Sequence, residues 1–139
     1  MVGARVTVYA MGGALLGGRI IGVGVDWVLL AEDNRLEVLF PLQAITGITG
    51  LSTWTAPPGT EGHITQKLTL AYALRGIARD RAPVAIGFGD GSVVTGTIDR
   101  VGADFFEMAE HGPDALRRRG EITSFRTVAF GGLAFVRRI

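Results

Sequence analysis

An internal repeat is the feature that most constrains how this chain can fold. When the sequence is aligned with itself at an offset of 78 positions, identical residues coincide along an ungapped run. The coinciding pairs include Val6 with Val84, Gly18 with Gly96, Val23 with Val101, Asp26 with Asp104 and Glu32 with Glu110. Repeats of this size indicate duplicated structural units. We therefore expect two copies of one small β module, at 1–51 and 82–139.

Each copy has the pattern of a short-stranded β unit. Apolar residues alternate at its start (Val6, Val8 and Ala10 in the first copy), and this period of two is typical of a half-buried strand. Glycine-rich turns follow, and Gly18 and Gly96 fall inside the next strand, where glycine indicates a sharp bend. Such bends help to close a small barrel. The further predicted strands are 14–23, 27–31, 35–40 and 45–49 in the first copy, and 92–101, 104–109, 121–126 and 133–137 in the second.

A different kind of sequence separates the copies. Residues 52–63 contain Pro57-Pro58-Gly59 and are typical of a linker. Apolar residues then recur at helical spacing, which predicts an amphipathic helix over 64–80 that ends before Pro83. The expected organisation is a first barrel at 1–51, a linker at 52–63, and a helix plus a second barrel at 64–139.

Composition excludes several classes of protein. Net charge is only +1, so the chain is not a uniformly basic polyanion binder. It has no cysteine, which excludes a disulfide framework, a thiolate zinc site and a cysteine nucleophile. No run approaches the ~18 apolar residues of a membrane-spanning helix, and the N-terminus lacks the pattern of a secretion signal. We expect a cytoplasmic protein with no membrane partner.

Two matching stretches carry a family resemblance. They run from Gly18 to Leu30 and from Gly96 to Met108, with the shared spacing Gly-x-Ile-x-x-Val-Gly-x-Asp followed by an aromatic residue. This pattern resembles the first signature of Sm-like (LSm/Hfq-type) proteins. Residues 38–45 are similar to the closing strands of bacterial Sm-like domains. The tandem arrangement also resembles an uncharacterised family of high-GC Gram-positive bacteria, whose members carry helical sequence before the first barrel, so we expect a trimmed N-terminus or an atypical start site.

The resemblance implies a mainly β fold, with two tandem five-stranded Sm-like (SH3-like) barrels joined by the linker and the amphipathic helix. Sm-like proteins commonly assemble through unpaired edge strands and bind single-stranded RNA. It therefore implies a homo-oligomer or a protein partner at the barrel edges, with single-stranded RNA as a further ligand. The Asn of the Sm base-binding loop is missing from both copies, which argues against RNA binding at the usual pore-side position. In a chain that fuses two barrels, one of the edge contacts that otherwise form between subunits is already made within the chain.

Two matched pairs of residues are candidate binding groups. Asp26 and Asp104 each follow a glycine-containing turn, and either contact a ligand or accept backbone N–H groups in a turn; we favour the turn. Trp27 and Phe105 either stack on bases or fill a core or a barrel-to-barrel contact; we favour packing.

The charged cluster near the C-terminus is a candidate nucleic-acid contact. Residues 117–139 hold six arginines and one glutamate, whereas 99–114 hold five acidic residues and one arginine. The tentative RNA-binding arginines are Arg117, Arg118, Arg119 and Arg126. These groups either contact phosphates, with salt-dependent affinity, or pair with the acidic strand nearby.

Catalytic motifs are missing from the sequence. His63 and His111, the two histidines, lie in glycine-adjacent segments without a spaced metal-binding partner. The sequence contains neither H-E-x-x-H nor G-x-S-x-G, and Lys67 does not follow a glycine-rich phosphate loop. We expect a non-catalytic adaptor without metal or cofactor. A protein-interaction module with no nucleic-acid role is the alternative.

Overall fold

The computed structural model of the chain describes residues 2–51, 68–112 and 121–139. Within these ranges the chain is mainly β with one α-helix, as predicted. The strands of the first repeat are β1 (Arg5–Ala10), β2 (Ala14–Val23), β3 (Trp27–Glu32), β4 (Glu37–Pro41) and β5 (Ile45–Thr49). Helix α1 (Leu70–Asp80) precedes the strands of the second repeat, which are β6 (Pro83–Phe88), β7 (Val93–Val101), β8 (Phe105–Glu110), β9 (Ser124–Ala129) and β10 (Leu133–Arg138).

The ten strands of the described ranges belong to one antiparallel sheet. Its order is β5-β1-β2-β3-β4-β10-β6-β7-β8-β9. The two halves of this order are equivalent, because the fifth strand of each repeat lies beside the first. The halves join where β4 of the first repeat pairs with β10 of the second.

The sheet is not closed into a barrel by hydrogen bonds. In the described part of the chain, β5 and β9 each have a single strand neighbour and form the two free edges. The prediction of two tandem five-stranded barrels is therefore not confirmed. The difference arises because β4 and β10 pair with each other across the repeat boundary instead of each closing onto its own repeat.

Helix α1 begins at Leu70, later than the predicted start at 64. Thr69 has an extended backbone and its hydroxyl accepts the N–H of Tyr72, so it caps the helix. The helix ends at Asp80, and the next residue, Arg81, caps it with a left-handed backbone at φ 55°. Residues 52–67, including the predicted linker, lie outside the described part. No helix in the described ranges is long and apolar enough to cross a membrane.

Two strands also have boundaries that differ from the prediction. Strand β4 begins at Glu37 because the Asn34 side chain accepts the N–H of Leu36, which extends the preceding turn. Strand β9 covers 124–129 and not 121–126. The other boundaries agree to within one residue.

Two apolar cores lie against the sheet, and each draws residues from both repeats. The first contains Val8, Ile20 and Phe40, joined by Phe135 from β10. The second contains the buried face of α1 together with residues of the second repeat, and it takes in Trp27 and Leu39 from the first. The two repeats therefore stabilise each other, as expected for units too small to bury a large core alone.

Candidate functional site

The seam between β4 and β10 is the internal example of how one repeat binds another. Val136 pairs with Leu39 and Arg137 with Val38 in antiparallel register. The Phe135 side chain enters the first core, with its ring centroid 6.4 Å from that of Phe40. Backbone pairing and apolar packing therefore act together at this seam.

An ion pair crosses the same seam. The Arg137 guanidinium donates two hydrogen bonds to the Glu32 carboxylate, at 3.1 and 3.0 Å. The two side chains are only 25% and 13% exposed, so solvent screens the pair less than it screens a surface pair. The Arg137 guanidinium also lies 5.4 Å from the ring centre of Phe135. These contacts link the second repeat to the end of β3.

Strand β9 is the open counterpart of β4. In β4 the last four residues are buried, whereas in β9 Val128 is the one buried residue. Phe125 is 72% exposed, the highest value among the large apolar side chains of the described residues. An exposed strand with free backbone groups and an exposed aromatic side chain is suited to pairing with another strand.

Strand β5 is the open counterpart of β10. Ile48 pairs with Val8, and Val136 pairs with the repeat equivalent, Ile86. Ile48 is therefore equivalent to Val136, and by the same registers Thr49 is equivalent to Arg137. The two free edges correspond, strand for strand, to the two strands that already pair inside the chain.

Asp26 and Trp27 hold the start of α1. One Asp26 carboxylate oxygen accepts the Leu70 N–H at 2.7 Å, and the Trp27 indole N–H donates to the Leu68 carbonyl at 2.9 Å. The Val25 N–H donates to the same carbonyl. Trp27 is only 5% exposed, so its ring packs in the core and is not presented to bases.

The equivalent pair in the second repeat has different surroundings. The backbone of the corner is the same, because Gly102 N–H donates to the Phe105 carbonyl as Gly24 N–H donates to that of Trp27. Asp104 is exposed and Phe105 is half-buried. The Arg100 guanidinium lies 5.7 Å from the centre of the Phe105 ring and covers it.

The C-terminal arginines of the described residues form ion pairs. Arg126 donates to both oxygens of Glu110 at 3.1 and 3.3 Å and lies over the Phe88 ring. Arg138 donates to Asp80 at 3.2 Å. Arg117, Arg118 and Arg119 lie outside the described residues. The structure thus brings Arg126 to the open β9 edge but does not place it beside Trp27 or Phe105 in any described contact.

His111 is a buried structural residue. It is 4% exposed, its Nε2 lies 2.6 Å from the Thr97 hydroxyl, and its Nδ1 lies 2.9 Å from the Gly112 carbonyl. Both ring nitrogens are therefore engaged. His63 lies outside the described residues. Within the described ranges, no group of three or more His, Asp or Glu side chains is arranged to hold a metal ion.

Sequence reasoning missed the edge residues Ile48, Phe125 and Thr127, and the role of Glu110 on the neighbouring strand β8. The signal that could have found Phe125 is its place in the strand equivalent to the buried β4. No family profile, curated protein or solved structure matches the chain.

Proposed function

We propose that this chain is a cytoplasmic, non-catalytic, Sm-like adaptor that associates with itself through its two free strand edges. In this proposal each repeat is one Sm-like barrel unit that stays open between its fourth and fifth strands. The opening is covered by a neighbouring unit. The chain fuses two units, and further units come from other molecules.

The observation that carries the proposal is the correspondence between the internal seam and the free edges. If β9 pairs with β5 of a second molecule as β4 pairs with β10, Ile48 lies opposite Thr127 and Thr49 lies opposite Arg126. Such contacts join different surfaces, so they form a ring if the rotation closes and a filament if it does not.

Electrostatics at the proposed contact differ from those of the internal seam. Thr49 takes the place of Arg137, so it cannot supply a guanidinium to the acidic residue that is equivalent to Glu32. That residue is Glu110, which already binds Arg126 and the Ser124 hydroxyl of its own edge. The carboxylate therefore needs no partner from the second molecule, and pairing leaves no unpaired charge.

A charge on the β9 edge tests self-association. We expect Phe125→Asp to reduce the association constant at least tenfold in analytical ultracentrifugation, because it removes an exposed apolar side chain from the free edge and adds a charge there, which opposes strand pairing. The matched control is Tyr72→Asp, which replaces a 54% exposed aromatic on α1, away from both edges. Equal association of the two variants would contradict the proposal.

The RNA ligand is the second part of the proposal, and it rests on the arginine cluster at 117–119. Replacing all three with alanine should weaken binding of short U-rich RNA and flatten its salt dependence. A control that replaces Arg19, Arg75 and Arg79 removes the same charge elsewhere. If neither variant changes RNA binding, or the unmodified chain binds none, the RNA ligand is withdrawn.

The alternative is a protein-interaction module with no nucleic-acid role. It is favoured by the ion pairs of Arg126, Arg137 and Arg138, because a guanidinium held by a carboxylate is less available to a phosphate. Under this alternative the arginine variants retain partner binding, whereas Phe125→Asp loses it.

A further inference from the structure

A cavity lies where α1 crosses the seam between the two repeats. Its volume is about 170 Å³ and it is partly open to solvent. Its apolar wall is formed by Leu29 and Leu39 of the first repeat, Val136 of β10 and Ile77 of α1. A cavity of about 150 Å³ with apolar walls is large enough to hold one benzene ring.

Gly76 lines this cavity from the middle of α1. Glycine inside a helix costs about 1 kcal/mol relative to alanine. No steric reason offsets this cost, since a Cβ built at Gly76 would meet no atom within 4 Å. A large side chain at this position would occupy part of the cavity, so the glycine keeps it open.

The rim of the cavity carries an excess of negative charge. Glu37, Asp80 and Arg138 line it from three different elements. Asp80 and Arg138 are paired with each other at 3.2 Å. Glu37 has no ion pair or side-chain hydrogen bond with any described residue, and it lines an adjoining groove together with Arg35 and Arg138. One carboxylate is therefore left to receive a cation.

We propose that this cavity binds a small primary amine whose apolar body is about one six-membered ring. The ring contacts Leu29, Leu39 and Val136, and the ammonium group donates to the Glu37 carboxylate. Because both repeats and α1 contribute to the wall, the ligand would stabilise the packing of the helix on the seam. This site is independent of the free edges and does not rest on the adaptor proposal.

Three probes of one shape test the chemistry: benzylamine, benzyl alcohol and benzoate. Binding to the full chain is followed by the NMR signals of the Ile77, Leu29 and Val136 methyl groups. We expect benzylamine to bind roughly tenfold more tightly than benzyl alcohol, because it adds a charge-assisted hydrogen bond, and benzoate to bind least. Equal affinity of the amine and the alcohol, or no shifts with either, would overturn the proposal.

Two variants locate the site. Glu37→Gln should remove the preference for benzylamine over benzyl alcohol, and Gly76→Leu should abolish the binding of both. Gly76→Ala is the control, because it improves helix propensity and leaves most of the cavity open, so it should raise the melting temperature and retain binding. If Gly76→Leu fails to fold, the Glu37→Gln variant alone tests the site. An unchanged preference of that variant for benzylamine over benzyl alcohol would contradict the proposal.

Discussion

At the scale of single residues, the repeat places the same aspartate in two different surroundings. Asp26 and Asp104 occupy equivalent corners with the same backbone hydrogen bonds. In the first repeat the carboxylate accepts the Leu70 N–H and so caps α1 together with Thr69, whereas Asp104 is exposed. The same residue type therefore has different energetic consequences in the two repeats.

Alanine at these two positions should separate the roles. Asp26→Ala leaves an N–H at the helix start without its acceptor, and we expect it to lower the free energy of unfolding by about 0.5–2 kcal/mol. Asp104→Ala removes an exposed side chain and should change stability by less than about 0.5 kcal/mol. Urea denaturation of both variants measures the difference. Equal losses would show that Asp26 does not act through the helix.

A second residue-scale prediction concerns pH. Hydrogen bonds from the Ser92 hydroxyl and the Ser92 N–H lower the pKa of Asp90 below its ordinary value of 3.8. A carboxyl whose pKa is lower in the folded state stabilises the fold above about pH 3.8, and this contribution is lost as pH falls through the folded-state pKa.

We therefore expect Ser92→Ala to raise the pKa of Asp90 toward 3.8, while Ser92→Thr, which keeps the hydroxyl, leaves it low. Titration of the Asp90 carboxyl carbon by NMR follows both variants. The serine has no such role if the alanine variant titrates like the unmodified chain.

At the scale of elements, close contact between strands explains the two mid-strand glycines. A Cβ built at Gly18 would collide with the Ala31 carbonyl oxygen, and one built at Gly96 with that of Ala109. Each repeat also shifts register shortly after its glycine, between Ile20 and Gly22 in the first. The bend predicted from glycine placement coincides with close strand approach and a bulge.

Neighbouring glycines in β2 provide a matched test. Gly18→Ala should destabilise the fold by about 1–3 kcal/mol because the backbone must move apart. At Gly17 the nearest atom to a built Cβ is 3.8 Å away, and the backbone conformation suits any residue, so Gly17→Ala should be neutral or slightly stabilising. Thermal denaturation compares the two. Similar melting temperatures would contradict the close-contact explanation.

The sequence was informative about elements and uninformative about their long-range pairing. The period-two pattern located β1 and the glycines located β2, since these signals are local. The predicted start of the helix was wrong because apolar residues at helical spacing also precede Thr69. The actual start is fixed in part by the Asp26 carboxylate, which lies far away in the chain and accepts the Leu70 N–H. Pairing of Arg137 with Glu32, 105 positions apart, has no local signature. Phe125 and Thr127 of the β9 edge were missed for the same reason.

At the scale of the whole molecule, duplication and pairing have a geometric consequence. Two equivalent five-stranded units joined through β4 and β10 leave one unpaired β5 and one unpaired β9. Each free edge is equivalent to a strand that already has a partner inside the chain. The molecule therefore carries both halves of its own internal contact, which is the basis of the self-association proposed above.

Intermolecular disulfide formation tests this claim most directly, because the natural chain has no cysteine. Two double variants are made, Ile48→Cys with Thr127→Cys and Thr49→Cys with Arg126→Cys, and both are oxidised at several protein concentrations. Opposed residues in antiparallel strands alternate between closer and wider pairs, so at least one variant should have disulfide geometry. The control places cysteines at Leu15 and Tyr72, which are exposed away from the edges.

The account predicts efficient cross-linking into rings or chains for at least one edge pair, well above the control. Cross-linking of both edge pairs no better than the control, with a monomer at every concentration, would contradict it.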